Sequence, residues 1–185
     1  MILNYKSFLE SVNNLDKSEL ILDKNGEPLK VYHGVRSGEH FDKFEKTSDI
    51  GFHFTPNKKT ALGIANMGKD KFYSQERELG DYYEPIVYEG YIRAKSVEGI
   101  DDLEFWTVGD FRRYLNKLAE DNNIRWEYNQ SKTRIENTRN LYSKIPGYNS
   151  NFDVLMYYNE YEPSYGGSPW SYILFDDSQF IRFKE

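Results

Sequence analysis

The stretch Val31-Tyr32-His33-Gly34-Val35-Arg36, followed by Gly51-Phe52-His53-Phe54-Thr55, constrains the fold most, because each piece sets a histidine close to glycine in a short apolar, β-prone run. Leu29 to Tyr32 predicts a short strand that stops at His33-Gly34, where glycine lets the main chain approach another group closely or take a positive φ. The second piece predicts another short strand, running through Thr55-Pro56-Asn57 into a helix from Lys58 to Ala65 that ends near Met67. Thr55 suits the N-cap of that helix and Pro56 its first turn. Two of the chain's three histidines stand in these pieces, and a ligand fits beside them. The third, His40, lies in a loop carried by Phe41 and Phe44 and reads as a surface residue.

Around this centre the periodicity predicts a mixed set of elements. Tyr5, Phe8, Leu9, Val12 and Leu15 fall at helical spacing, giving an amphipathic helix over residues 4–15. Leu20–Leu22 and Leu29–Tyr32 flank Asn25-Gly26, a strong hairpin signal. Residues 68–84 are polar and read as a loop, a candidate lid. Ile86 to Ala94 alternates with the period of a strand. Thr107 with Asp110 three residues on predicts a capping box, followed by the stripe Phe111, Tyr114, Leu115 and Leu118 to Asn122. Arg125–Lys144 reads as helical, Gly147–Ser150 as a turn, Val154–Tyr158 as a strand, Tyr165–Pro169 as a loop and Tyr172–Phe175 as the last strand.

The ordered pieces Asp23-Lys-Asn-Gly-Glu-Pro-Leu-Lys-Val-Tyr-His33-Gly34, Phe41-Asp-Lys-Phe44, Gly51-Phe-His-Phe-Thr-Pro-Asn57, Tyr88-Glu-Gly-Tyr-Ile-Arg-Ala-Lys95, Asn151-Phe-Asp-Val-Leu155 and Ser171-Tyr-Ile-Leu-Phe-Asp-Asp-Ser-Gln179 resemble the ADP-ribosyltransferase modules of polyvalent phage and mobile-element proteins. Those modules are similar to the branch of diphtheria toxin and poly(ADP-ribose) polymerase. The resemblance implies an α+β fold with a split β-sheet, an N-terminal helix and a helical insertion, and one domain over residues 1–185. It implies NAD as the bound dinucleotide and a protein as acceptor. His33 then holds a ribose hydroxyl, the Gly34 main chain meets the nicotinamide carboxamide, and His53 takes the place of a tyrosine that stacks on nicotinamide. Ile64 stands where a second stacking tyrosine is often found. Ser171 falls on the position of a glutamate just ahead of the closing strand, and Gln179 matches a glutamine that follows it. Glu160 and Glu162 form a Glu-x-Glu pair like that of a related toxin branch, and the forked donors of Arg36 suit a pyrophosphate.

The resemblance also frames the alternatives. A hydroxyl at Ser171 supplies no negative charge against a developing oxocarbenium ion, and such charge is usually a large catalytic term. The same chain therefore reads as a catalytically degenerate module that acts by binding or inhibition, for instance against a host defence system. The two histidines also resemble NAD-dependent RNA 2′-phosphotransferases.

Composition narrows the partners. A length of 185 residues supports one core, to which 16 Tyr and 12 Phe contribute large buried areas. A net charge of −6 argues against sequence-independent nucleic-acid binding. The absence of cysteine excludes disulfides, thiol catalysis and cysteine-held zinc, and three scattered histidines argue against a metal site. No apolar run approaches the roughly 20 residues needed to span a bilayer. The expectation is a cytoplasmic protein, in the host cytoplasm if phage-encoded.

Overall fold

The computed structural model describes residues 17–35, 50–75, 84–160 and 169–183, the side chains of residues 17 and 68–75 excepted. The expected helix over residues 4–15, the loop carrying His40, Arg36, Glu162, residues 76–83 and most of the Tyr165–Pro169 loop lie outside the described residues. The described part is α+β. It has β1 (Lys30–Val35), β2 (Phe52–Phe54), α1 (Lys58–Gln75), β3 (Ile86–Ile92), β4 (Val97–Gly99), α2 (Val108–Asp121), α3 (Arg134–Tyr142), β5 (Val154–Tyr158), β6 (Trp170–Leu174) and β7 (Phe180–Arg182).

The strands form two sheets, β1-β3-β7 and β2-β6-β5-β4, antiparallel except for the β4–β5 pair. Alternation of side chains gives each sheet two faces. Val31, Val35, Ile86, Tyr88 and Ile92 of the first sheet meet Phe52, Phe54, Val154, Tyr172 and Leu174 of the second in one buried cluster. The far face of the second sheet carries Leu155, Tyr157 and Ile173, which pack with Phe111, Leu115, Leu141 and Tyr142 of α2 and α3. Helix α1 lies on the far face of the first sheet, so close that a Cβ at Gly34 would come within 2.0 Å of the Ala61 carbonyl oxygen. The layers therefore run α1, three strands, four strands, α2 with α3.

Several boundaries differ from expectation. Strand β1 does not stop at His33-Gly34; it continues to Val35, with Gly34 paired to Val87 beneath α1. The cap of α1 is Asn57, whose Oδ1 accepts from the N–H groups of Lys59 and Thr60 at 3.0 and 3.4 Å, while Thr55 Oγ1 accepts from Asn57 N–H at 3.2 Å. Helix α1 runs to Gln75 because one glycine at Gly68 costs a helix only about 1 kcal/mol. Of Arg125–Lys144, only Arg134–Tyr142 is helical, opened by a capping box between Thr133 and Glu136. The box between Thr107 and Asp110 forms as expected, and Gly26 takes a φ of 77° in its turn.

Candidate functional site

The two sheets meet at β1 and β2, and there the ladder is nearly unmade. Among the described residues the two strands are joined by a single antiparallel bridge, Tyr32 with Thr55, whose main chains exchange hydrogen bonds of 2.8 and 2.9 Å. In an antiparallel strand successive main-chain groups alternate sides. Tyr32 turns its N–H and C=O toward β2, so Gly34 turns its own the same way, while His33 bonds into β3. The residue that would complete the next rung opposite Gly34 is His53. Instead of that rung, His33 Nδ1 donates to the His53 carbonyl at 2.7 Å. A carbonyl only accepts, so this contact fixes the His33 tautomer with its proton on Nδ1. The His33 ring rests on Phe54 at 5.1 Å.

Where the ladder stops, the Gly34 main chain and the His53 carbonyl border a notch in the pairing among the described residues. A main-chain N–H and C=O side by side match a planar carboxamide, which has one donor group and one acceptor. Gly34 cannot be replaced there without moving α1, because Ala61 occupies the space of a side chain. Ile64, half-buried, lies on α1 between the buried Ala61 and Ala65.

His53 projects to the opposite face from the inter-sheet core, into an aromatic corner. Its Nδ1 lies 3.0 Å from the Tyr157 hydroxyl, and its ring stands edge-on to Trp106 at 5.1 Å and to Tyr157 at 5.7 Å. Trp106 and Tyr157 are themselves 4.7 Å apart. Trp106 holds a φ of 55°, a left-handed conformation that bulky residues avoid at a cost of about 1–3 kcal/mol. Arg134, 8% exposed, secures it by donating from Nη1 to the Trp106 carbonyl at 2.5 Å with its guanidinium over the Phe111 ring.

Ser171 lies inside β6 rather than ahead of it, opposite Tyr157, and is 2% exposed. Its Oγ accepts from Asn159 Nδ2 at 3.4 Å. The register places His53 opposite Ile173, so Ser171 is on the same face two residues along. Glu160 is exposed, and its N–H donates to Asp102 Oδ2 at 2.9 Å. Gln179 is engaged elsewhere. Its Oε1 accepts from Phe175 and Asp176 N–H at 2.8 and 3.0 Å, and its Nε2 donates to the Asp153 carbonyl at 2.8 Å, so its amide ties the turn after β6.

The structure joins His33 and Gly34 to the His53 main chain, while the His53 ring and, one step along the sheet, Ser171 lie on the opposite face. Trp106, Tyr157, Arg134 and Asn159 were not singled out from sequence. The register that sets Tyr157 against His53 depends on a third strand, and no local pattern encodes it. No group of three or more metal-ligating side chains occurs among the described residues, and no described helix is long and apolar enough to cross a membrane. No family model matches the chain, and comparison with curated proteins and with solved structures found no match.

Proposed function

We propose that the chain binds NAD at the split between β1 and β2 and passes ADP-ribose to a protein acceptor, as an ADP-ribosyltransferase-like protein. The observation that carries this reading is the missing rung after Tyr32–Thr55, which leaves the Gly34 main chain facing the β1–β2 edge with the His33 ring beside it at the His53 carbonyl. In this reading the Gly34 main chain receives the nicotinamide carboxamide and His33 orients the adjoining ribose through Nε2. His53 takes part through its main-chain carbonyl, and stacking by its imidazole requires the ring to turn away from Trp106 and Tyr157. Holding the sugar and leaving group in one geometry lowers the barrier to attack. An acceptor nucleophile then forms a bond to the ribose C1′ as the bond to nicotinamide breaks, and nicotinamide departs neutral with the bonding electrons. The acceptor's proton passes to a base, for which Glu160 is the candidate among the described residues.

A second reading rests on Ser171. Where the resembling family has a glutamate, this chain has a buried hydroxyl bonded to Asn159, and no carboxylate balances positive charge on the ribose from that position. A module that binds the dinucleotide without turning it over fits the same geometry. Calorimetry with NAD at millimolar concentration, followed by labelled NAD with cell lysate, tests both. Binding weakened by His33→Ala, with label passing to protein, supports the transferase. Binding without transfer or hydrolysis supports the second reading. No heat and no thermal shift with NAD sinks both.

A further inference from the structure

We propose that Phe105 and Val108 form a docking knob for a protein partner that presents a basic, apolar-faced segment. Phe105 is 73% exposed and Val108 54%, the two highest values among the large hydrophobic residues described. A single exposed phenylalanine is ordinary. The main chain around this one is not. Glu104 and Trp106, on either side of it, have φ of 58° and 55°, in the region that non-glycine residues avoid.

The loop is fixed in that shape. Asp102 Oδ1 accepts from Glu104 N–H at 3.1 Å, the Leu103 carbonyl accepts from Phe105 N–H at 2.7 Å, and Arg134 holds the Trp106 carbonyl at 2.5 Å. Leu103 and Trp106 turn inward and pack against the helical core, while the ring between them is held outward. Strain spent on keeping an apolar ring in water calls for a compensating gain, and such strain concentrates at functional surfaces. A rigid aromatic that loses little freedom on binding is the kind of side chain that anchors interfaces.

Charge selects the partner. Around Phe105 the chain carries Asp101, Asp102 and Glu104 with no lysine or arginine from Ser96 to Phe111, while Asp110 is ion-paired with the exposed Arg113. That rim repels anionic lipid headgroups and nucleic-acid phosphates and steers toward lysine and arginine. A segment alternating apolar and basic residues satisfies both the ring and its rim. Because Trp106 touches His53, a segment seated on Phe105 lies beside the candidate site; the inference itself does not depend on NAD.

The test is selection of a random peptide library displayed on phage against the wild-type chain, with counter-selection on Phe105→Ala. Both Phe105→Ala and the double variant Asp101→Lys, Glu104→Lys change exposed or rim side chains, and thermal unfolding checks that they fold. The expected peptides combine lysine or arginine with aliphatic or aromatic residues. As synthetic peptides they bind the wild type, bind each variant at least about ten-fold more weakly, as hot-spot loss entails, and weaken with added salt. Peptides that bind Phe105→Ala equally, that are acidic or uncharged, or that show no enrichment over counter-selection overturn the proposal. So does a dimer in light scattering that Phe105→Ala dissolves, since the occupant would then be a second copy.

Discussion

The β1–β2 edge and the helical wall formed by residues 100–152 treat main-chain polar groups in opposite ways. In the wall, polar side chains close local gaps in the main-chain bonding, although Arg139 Nε is itself buried without a hydrogen-bond partner. Asn137, 1% exposed, accepts from Asn129 N–H at 2.8 Å and reaches the carbonyls of Asn129 and Thr133 at 2.9 and 3.0 Å. Tyr142 donates to the Gly99 carbonyl at 3.1 Å, Arg139 to the Phe152 carbonyl at 2.7 Å, and both helices open with capping boxes. At the edge, β1 and β2 share one bridge among the described residues. Proteins satisfy nearly all buried main-chain groups, which is why the place where this ladder stops short is the one proposed for the ligand.

The sharpest way to break this contrast is to loosen the wall. Phe111 is fully buried, lies 5.8 Å from Trp106 and sits beneath the Arg134 guanidinium. Phe111→Ala should destabilise the protein by about 3–5 kcal/mol, as large-to-small core changes do, read from urea unfolding. A loss under about 1 kcal/mol, far below that range, would mean the wall collapses onto the gap and is not a fixed support for Trp106.

The edge is probed from its other side at Gly34. An added methyl would meet Ala61 main chain, which cannot rotate away as a side-chain tip can. Gly34→Ala should therefore cost about 1–3 kcal/mol in thermal unfolding, the range for overpacking, and should weaken NAD binding by shifting the notch. An unchanged melting temperature would show that α1 rides loosely on β1 and that the glycine serves no close approach.

These two sites also show what the sequence made legible. The hairpin at Gly26, the strand Val154–Tyr158 and the box at Thr107 could be read because each is a local device with its own residue signature. They predict a mixed set of elements, and the α+β class is what the resemblance implies. The box at Thr133 and Glu136 carries the same signature inside a charged stretch, Arg125–Lys144, whose composition predicts one longer helix. Strands β4 and β7, of three residues each, are too short for an alternation to show, and exist only because longer strands offer them an edge. At the site, His33, Gly34 and His53 were legible as residues, but their relation was not. The bond from His33 to the His53 carbonyl depends on where a ladder ends, and the contacts of His53 with Trp106 and Tyr157 join segments about 50 and 100 residues away. Gln179 shows the converse, since a residue matched by its place in a motif spends its amide on the main chain.

A smaller effect is expected at the corner that links edge to wall. Tyr157→Phe removes the hydroxyl 3.0 Å from His53 Nδ1 while keeping the ring against Trp106. The loss should be about 0.5–1.5 kcal/mol, the net worth of one hydrogen bond, in chemical denaturation. His53→Ala in the Tyr157→Phe background should then cost less than in the wild type, because the shared bond is already gone. Full additivity in that double-mutant cycle would mean the two side chains do not interact.

The smallest effect concerns the caps of the wall, and its sign follows from their carboxylates. The Thr107 hydroxyl, then its N–H, hold the Asp110 carboxyl below its ordinary range; the Thr133 N–H, then its hydroxyl, do the same for Glu136. Unfolded, these groups titrate near about 3.9 and 4.3. The folded state binds protons less readily, so their contribution is fully present above those values and is lost as pH falls through them toward the lower folded pKa values. Asp110→Asn and Glu136→Gln should each lower the urea midpoint slightly at pH 7, and the gap from wild type should close as the medium is acidified below about pH 4. A gap that stays constant from neutral to acid pH would assign the caps' stability to hydrogen-bond shape alone and remove the charge from the account. The edge between β1 and β2 contains no such carboxylate pair among the described residues. Variants there should leave this part of the acid profile unmoved, which separates the two regions by titration as well as by bonding.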